Sequence, residues 1–541
     1  MIKKIIRHIE GLEISIIDWI ISFLGIIFIR FLLESISISD PSGFIAIDAQ
    51  TLIHYGLFYF AAAIGSMVIL QFFTHKRDSL KNDVLFFLIY IWLAPIIDFF
   101  VGKITGLSLY YRYISDGGFS LARDFFTFFG PQIFNGATIG IRIEIVFILC
   151  GVVWFIWNKT KSRWKTIIGT IVIYAFIFTL FALPGIIFAV SHINSGSNAK
   201  GGQYIIHIIS TSNLSFNSTD SVLIPYSAER LLEIEFDKLM SQFLFLISCL
   251  LLFVWFWQIE KEKLIIILKN SRPERVGYYL VLVCLGMWYA YLLGIGHITS
   301  WVDILGIACL LIAFFSGWLF AIHINDCEDK KIDEISNKHR PLVQGTISEK
   351  EMYQSGIIWL SIGLLGAWCA GYYPFYMMCV FVMASYIYSA KPLRLKIVPV
   401  ISTFLMSVMS LTSILAGFFF LSQNKTFYSF PPLAMVGILI FYTLLTNVKD
   451  LKDIEGDTAN GILTIPVLMG KKKAFIICGG MVVLGLLLIP MFFTLPSLYI
   501  ISFPAAIASY YFIVRKPYKE KYLFLIYFIS IVCGLILFFP S

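Results

Sequence analysis

Two stretches of this sequence hold carboxylates at matching intervals, each just past an apolar run. After SGWLFAIHI comes NDCEDKKID, with Asn325, Asp326, Asp329 and Asp333; after ILIFYTLLT comes NVKDLKDIEGD, with Asp450, Asp453 and Asp457. In both sets the acids stand three and then four residues apart, an interval that gathers side chains on one side of a helix. Like charges so placed repel one another unless a cation sits among them. Neither stretch has the His and Cys content that zinc favours. Carboxylates suit Mg²⁺, which takes oxygen ligands and bridges readily to phosphates. Basic residues accompany the acids: Lys338 and Arg340 follow the first set, and YSAKPLRLK lies between the sets, with Tyr388, Ser389, Lys391, Arg394 and Lys396. Arginine grips phosphate oxygens with a planar fork and lysine acts as a point charge. Metal and base together at the mouth of apolar helices point to a phosphorylated lipid.

The elements that must position these residues are membrane helices. Only 14% of the 541 residues are charged, 59% are apolar and mean hydropathy is +0.84. Apolar runs of bilayer-spanning length recur from end to end, which excludes a soluble fold. Six spans are expected near 14–36, 50–73, 84–103, 137–157, 166–190 and 239–258. Nine more are expected near 277–296, 302–322, 354–370, 372–390, 398–420, 430–447, 473–493, 496–513 and 523–540. The first run is long and lacks a small-residue cleavage site, so it reads as a retained helix rather than a signal peptide. The nine cysteines are scattered without metal or redox spacing and read as small buried hydrophobes. A net charge of +8 is what Lys and Arg in cytoplasmic loops produce, so no nucleic-acid partner is implied.

Loop charge supports the span count from residue 265 onwards. Loops such as KEKLIIILKNSRPER, KPLRLK and RKPYKEK alternate with LGIGHITSW, AGYYPF and TLPS, which carry no Lys or Arg. The positive-inside rule then sets the N-terminus and both acid stretches on the cytoplasmic side, with the C-terminus outside. The first half follows the rule less cleanly, with Arg112 and Arg123 in a supposedly outer loop. Asn213 and Asn217 there begin Asn-X-Ser/Thr sequons. No repeat links the halves, and residues 1–264 are expected to form a separate six-helix membrane domain. Asp98 stands out in that half as the most intramembrane acid, with a functional role and a snorkelled helix-end carboxylate both open. His323, inside a span, reads as a packed core histidine.

The chain from about 265 to 541 resembles the UbiA superfamily of intramembrane prenyltransferases. The resemblance rests on the N-D-x-x-D-x-x-x-D pattern at Asn325–Asp333 and the D-x-x-D-x-x-x-D pattern at Asp450–Asp457. It extends through Arg272-Pro273, Arg340-Pro341 with Gly345, the Tyr388-Ser389 segment, and EGDTANGILTIPVLMG. The spacing from Asp333 to Arg340 is similar to the branch of digeranylgeranylglyceryl phosphate and chlorophyll synthases. What the resemblance implies is an all-α, nine-helix bundle that moves a prenyl group from an allylic diphosphate to a lipophilic acceptor. It implies Mg²⁺, as two ions bridged by diphosphate, held among Asp326, Asp329, Asp333, Asp450, Asp453 and Asp457, of which Asp326, Asp329, Asp450 and Asp453 are the expected catalytic acids. Substrate would be bound by Asn325, Lys338, Arg340, Tyr388, Ser389, Lys391, Arg394 and Lys396. The acceptor reads as a polyprenylglycerol phosphate, with an aromatic or quinone precursor as the alternative. A lipid-binding or transport protein without turnover is the competing class. No family is recognised in the N-terminal half; delivery of acceptor, recruitment of a lipid-pathway partner and a structural annex are its open readings.

Overall fold

The structure is a computed structural model. It describes residues 9, 11–37, 49–75, 80–106, 109, 112–115, 117–131, 137–191, 201–212, 228–459 and 461–537. Asn213 and Asn217 lie outside the described residues. The chain divides into two compact units, Met1–Lys261 and Glu262–Ser541. All regular structure among the described residues is helical. Among the described residues thirteen helices are long and apolar enough to cross a bilayer, which makes this a multi-pass integral membrane protein. Two further helices fall short by that measure. Tyr372–Ser389 is diluted by Tyr372, Tyr373, Tyr376, Tyr386 and Tyr388, and Lys521–Leu537 has 17 residues.

In the N-terminal unit the spans are Ile16–Ser37, Ala49–Thr74, Leu80–Thr105, Ile139–Thr160, Arg163–Phe181 and the N-terminal part of Ala228–Lys269. The last of these leaves helical geometry at Glu260, one residue before the unit ends. Asp98 has a structural task here. Its carboxylate accepts from the Thr138 hydroxyl at 2.5 Å and the Gly140 amide at 2.8 Å, capping the helix that starts at Ile139. Position 140 has to be glycine, because a Cβ there would stand 2.2 Å from the Ala94 carbonyl oxygen. Nor is Asp98 the only buried acid in these spans: Glu34 and Glu144 are buried as well, beside Arg30.

The C-terminal unit packs Pro273–Leu292 against Ile401–Leu421, Trp301–Glu328 against Glu349–Ala370, and Ile465–Phe492 against both Pro432–Leu445 and Tyr499–Val514. The first crossing is backbone on backbone. A Cβ at Gly286 would lie 1.8 Å from the Ile414 carbonyl oxygen, and one at Gly417 would lie 1.9 Å from that of Val283. In lipid, where apolar burial gives helices little reason to associate, such close approach is what glycine supplies. Ser300 with Asp303, and Ser348 with Glu351, form capping boxes that start the second pair of helices.

Each acid set sits where a long helix gives way to a short one. Trp301–Glu328 carries Asp326, Asp329 is its C-cap, and Asp333 belongs to the short helix Lys330–Ser336. In the second set Asp450 lies in the 3₁₀ turn Thr446–Leu451, and Asp457 in the short helix Ile454–Ala459. The acids therefore do not share the face of one continuous helix. Their intervals survive as backbone bonds across the bend: the Asp333 amide donates to the Asp329 carbonyl, and the Asp457 amide to that of Asp453, each at 2.8 Å.

Gly286→Ala should cost about 1–3 kcal/mol of stability, the usual range for overpacking, read as earlier thermal unfolding in detergent. Gly277→Ala, whose Cβ would meet nothing within 4 Å, should leave the transition where it is.

Candidate active site

The helix ends of the C-terminal unit surround a cavity of about 500 Å³. Asn325, Asp329 and Asp333 from the first acid stretch and Asp450, Asp453 and Asp457 from the second all line it. Lys396, Arg340 and Tyr388 join them. So do Arg272, Arg275, Lys449 and Lys452, four cations not singled out by the acid patterns. Of these, Arg272 was visible only as part of an Arg-Pro pair. Lys449 and Lys452 were readable from KDLKD, where they flank Asp450 and precede Asp453. Arg275 had no local signal.

The two acid sets are neutralised differently. Asp326 is 1% exposed and sits behind the cavity wall. It accepts from Asn270 Nδ2 and Arg272 Nη2, each at 2.8 Å, and from Arg340 Nη1. Asp329 accepts from Arg394 Nη2 at 2.8 Å and from Lys396 Nζ. Asp333 takes the Asn337 amide at 2.8 Å, with Arg340 Nε 3.9 Å away. The first set is thus threaded with fixed cations. In the second set Lys449 Nζ approaches Asp450 only to 4.0 Å. Among the described residues, Asp453 and Asp457 have no ion pair or side-chain hydrogen bond. Burial, and then the adjacent carboxylates of Asp450 and Asp453, push Asp457 up to about 7. Asp333 is also raised by burial, with Arg340 and Asn337 pulling against it.

The remaining expected residues divide. Asn325 Oδ1 accepts from the Ser389 hydroxyl at 3.2 Å. Both, with Tyr388, line a smaller cavity of about 70 Å³ whose walls also include Trp318, Ile322, Met406 and Met409. Lys449 donates to the Tyr388 hydroxyl at 2.8 Å while its Nζ stands 4.9 Å from the ring centre. Lys338 and Lys391 lie away from the cavity; the Lys391 side chain is 75% exposed, 4.0 Å from Glu328. Arg394 reaches the site only through Asp329. His323 Nδ1 bonds its own helix at Leu319, 2.6 Å away, as a packed histidine does. Among the described residues no three His, Cys, Asp or Glu side chains stand close enough to cage a metal as they are placed. The donor set is nonetheless oxygen-rich and excess negative charge is concentrated at Asp450, Asp453 and Asp457, which fits a hard divalent cation.

Residues 279–532 match the UbiA prenyltransferase family. The match lies wholly within the C-terminal unit. Over 170 residues the chain is 29% identical to digeranylgeranylglyceryl phosphate synthase of Thermococcus kodakarensis, covering 30% of this chain and 57% of that protein. It is 34% identical over 170 residues to chloroplastic chlorophyll synthase of Oryza sativa subsp. japonica, covering 29% and 43%. The chain thus spans about half the length of the curated relatives it matches. A UbiA homolog from Archaeoglobus fulgidus, solved with GPP and Mg²⁺, aligns with a TM-score of 0.39 at 21% identity, covering 49% of this chain and 96% of that one.

Arg340→Met takes one of two guanidinium groups from a buried carboxylate. It should destabilise the protein by about 3 kcal/mol, as expected for a broken buried pair, in thermal or denaturant unfolding. Adding Asp326→Asn to the same chain should recover part of that loss, because the uncompensated charge is then gone.

Proposed function

We propose that this protein is an intramembrane prenyltransferase. It moves a prenyl group from an allylic polyprenyl diphosphate to a lipophilic acceptor and releases diphosphate. The observation that carries the reading is the convergence of both acid sets and several cations on one cavity at the helix ends of a unit that matches the UbiA family. Mg²⁺, as two ions bridged by diphosphate, would be held by Asp450, Asp453 and Asp457 with Asp329 and Asp333. When bound it supplies Lewis-acid stabilisation of the negative charge that develops on the departing diphosphate.

The chain's own residues do the rest. Arg272, Arg275, Lys396 and Lys449 line the cavity and can take phosphate oxygens. Asp326 holds Arg272 and Arg340 in place from behind the wall. Asn325 and Tyr388 line both the polar cavity and the smaller one, so they mark the junction between the diphosphate end and the start of the prenyl chain. Beyond them Trp318, Ile322, Met406 and Met409 shield an allylic cation from water, with the Trp318 and Tyr388 ring faces available to it.

Tyr372–Ser389 and Lys521–Leu537 count as crossings in this reading, giving six helices in a membrane domain up to residue 264 and nine in a prenyltransferase domain from 265. Alternating loop charge supports cytoplasmic acid stretches, a cytoplasmic N-terminus and an external C-terminus. Basic groups beyond those paired with acids, Lys269 and Arg275 among them, support an acceptor that brings its own phosphate, a polyprenylglycerol phosphate.

Full-length protein given geranylgeranyl or farnesyl diphosphate and a panel of acceptors should transfer prenyl only with divalent metal present. Chelation should abolish turnover and Mg²⁺ restore it; undiminished turnover in chelator would rule the mechanism out. Asp453→Asn should lower the rate on the order of a hundredfold with an unchanged unfolding profile.

Asp457 also predicts a pH effect. Its folded-state value lies above the ordinary carboxylate range, so below about 7 the metal-free site holds a proton that Mg²⁺ must displace. Each pH unit below that value should raise the half-saturating Mg²⁺ concentration by up to about tenfold, and Asp457→Asn should flatten this dependence.

A further inference from the structure

The N-terminal unit buries a second charged cluster, at one end of its up-and-down helices. Arg30 and Glu34 lie in the second half of Ile16–Ser37. His54 is in the second turn of Ala49–Thr74, Glu144 in the second turn of Ile139–Thr160, and Asp237 in the third turn of Ala228–Lys269. Arg30, Glu34, His54 and Glu144 are each at least 94% buried. Charge at this depth in lipid-facing helices is expensive and persists where it has a task.

The cluster is short of positive charge. Arg30 serves two carboxylates at once: Nε stands 3.4 Å from Glu34 Oε2, and Nη1 stands 3.4 Å from Glu144 Oε2. Both are long for charge-assisted bonds, and the short bond of Nη1 goes instead to the Ile91 carbonyl at 2.6 Å. Glu34 Oε2 and Arg30 Nε make no hydrogen bond at all, although both are buried. Glu34 Oε1 accepts from the Tyr55 hydroxyl at 2.9 Å; Tyr59 also faces Arg30, and Asp98 faces Glu144. Beside this group stands an imidazole relay. His54 Nδ1 is 3.0 Å from Asp237 Oδ1, and His54 Nε2 is 2.6 Å from the Tyr113 hydroxyl. Asp237 also accepts from Thr51 at 2.7 Å and faces Arg230. Arg30, His54 and Tyr113 share a cavity of about 10 Å³, room for roughly one water.

We propose that Glu34 and Glu144, bridged by Arg30, form a proton-binding site, and that His54 with Asp237 and Tyr113 passes the proton in and out. Two buried carboxylates sharing one guanidinium leave one negative charge unmatched, and a proton is the cation that fits. Among the described residues no three metal-binding side chains come together there. The proton sits on a carboxylate oxygen and leaves to the imidazole by way of the Tyr55 hydroxyl, which donates to Glu34 and lines the small cavity together with His54, so charge and atoms balance without a further reagent. Histidine is suited to such shuttling near neutral pH.

The test is infrared spectroscopy of the full-length protein in liposomes. Wild type should show a protonated-carboxyl band at neutral pH, present in the difference spectra of wild type minus Glu34→Gln and wild type minus Glu144→Gln. His54→Gln should keep the band and slow its exchange in D₂O by roughly tenfold or more. Tyr55→Phe, which loses only a hydroxyl, should shift the band frequency and guards against misfolding of the Gln variants. The proposal is overturned if neither difference spectrum holds the band, if Tyr55→Phe leaves its frequency unchanged, if His54→Gln exchanges at the wild-type rate, or if sodium or potassium at constant pH bleaches it.

Discussion

A carboxylate at a membrane surface cannot be left alone, and the C-terminal unit is organised around that constraint. Its polar cavity is assembled from groups that neutralise each other. Asp326 fixes Arg272 and Arg340, and Asp329 fixes Arg394 and Lys396. These pairs tie the C-terminal end of Trp301–Glu328 to Arg272 before Pro273, to Arg340 and to the segment after Ser389. Removing one partner leaves a buried charge, which costs several kcal/mol. The second acid set is less fully matched, so the surplus of negative charge lies on one side of the cavity. That asymmetry gives an incoming cation and an incoming anion different places to go, one against free carboxylates and the other against arginines already held in position.

Much of this was legible from residue types and intervals. The two acid sets, the basic segment between them and the apolar runs all persist in the structure, because each is a local property of the chain. The shape of each acid stretch was not. A three-then-four interval reads as one helical face, yet Asp329 and Asp453 sit where one helical segment ends and another begins. Interval alone cannot separate a continuous helix from a bend that preserves i to i+4 backbone bonds. Lys338 and Lys391 show the reverse failure. A basic residue near a phosphate-binding pattern looks useful, but cytoplasmic loops are basic for topological reasons, and these two are exposed and do not line the cavity.

The N-terminal unit was opaque for a different reason. Its buried pairs join residues far apart in the chain, Arg30 with Glu144 and His54 with Asp237. The partners of each pair are 114 and 183 positions apart, so no window of sequence shows them together. Asp98 drew notice as a carboxylate within a span and proved to cap the helix that starts at Ile139. Only tertiary packing distinguishes these roles.

Gly371 bears on how such a protein enters the bilayer. It alone separates Glu349–Ala370 from Tyr372–Ser389, and its φ of 147° suits glycine at a turn this tight. The tyrosine-rich partner partitions weakly by itself, since each phenol resists full transfer into hydrocarbon. Joined by a single residue to a neighbour that is itself long and apolar enough to cross, it inserts as one arm of a helical hairpin. Biogenesis is then free to tolerate, at the end of that arm, the Ser385, Tyr388 and Ser389 hydroxyls that line the smaller cavity.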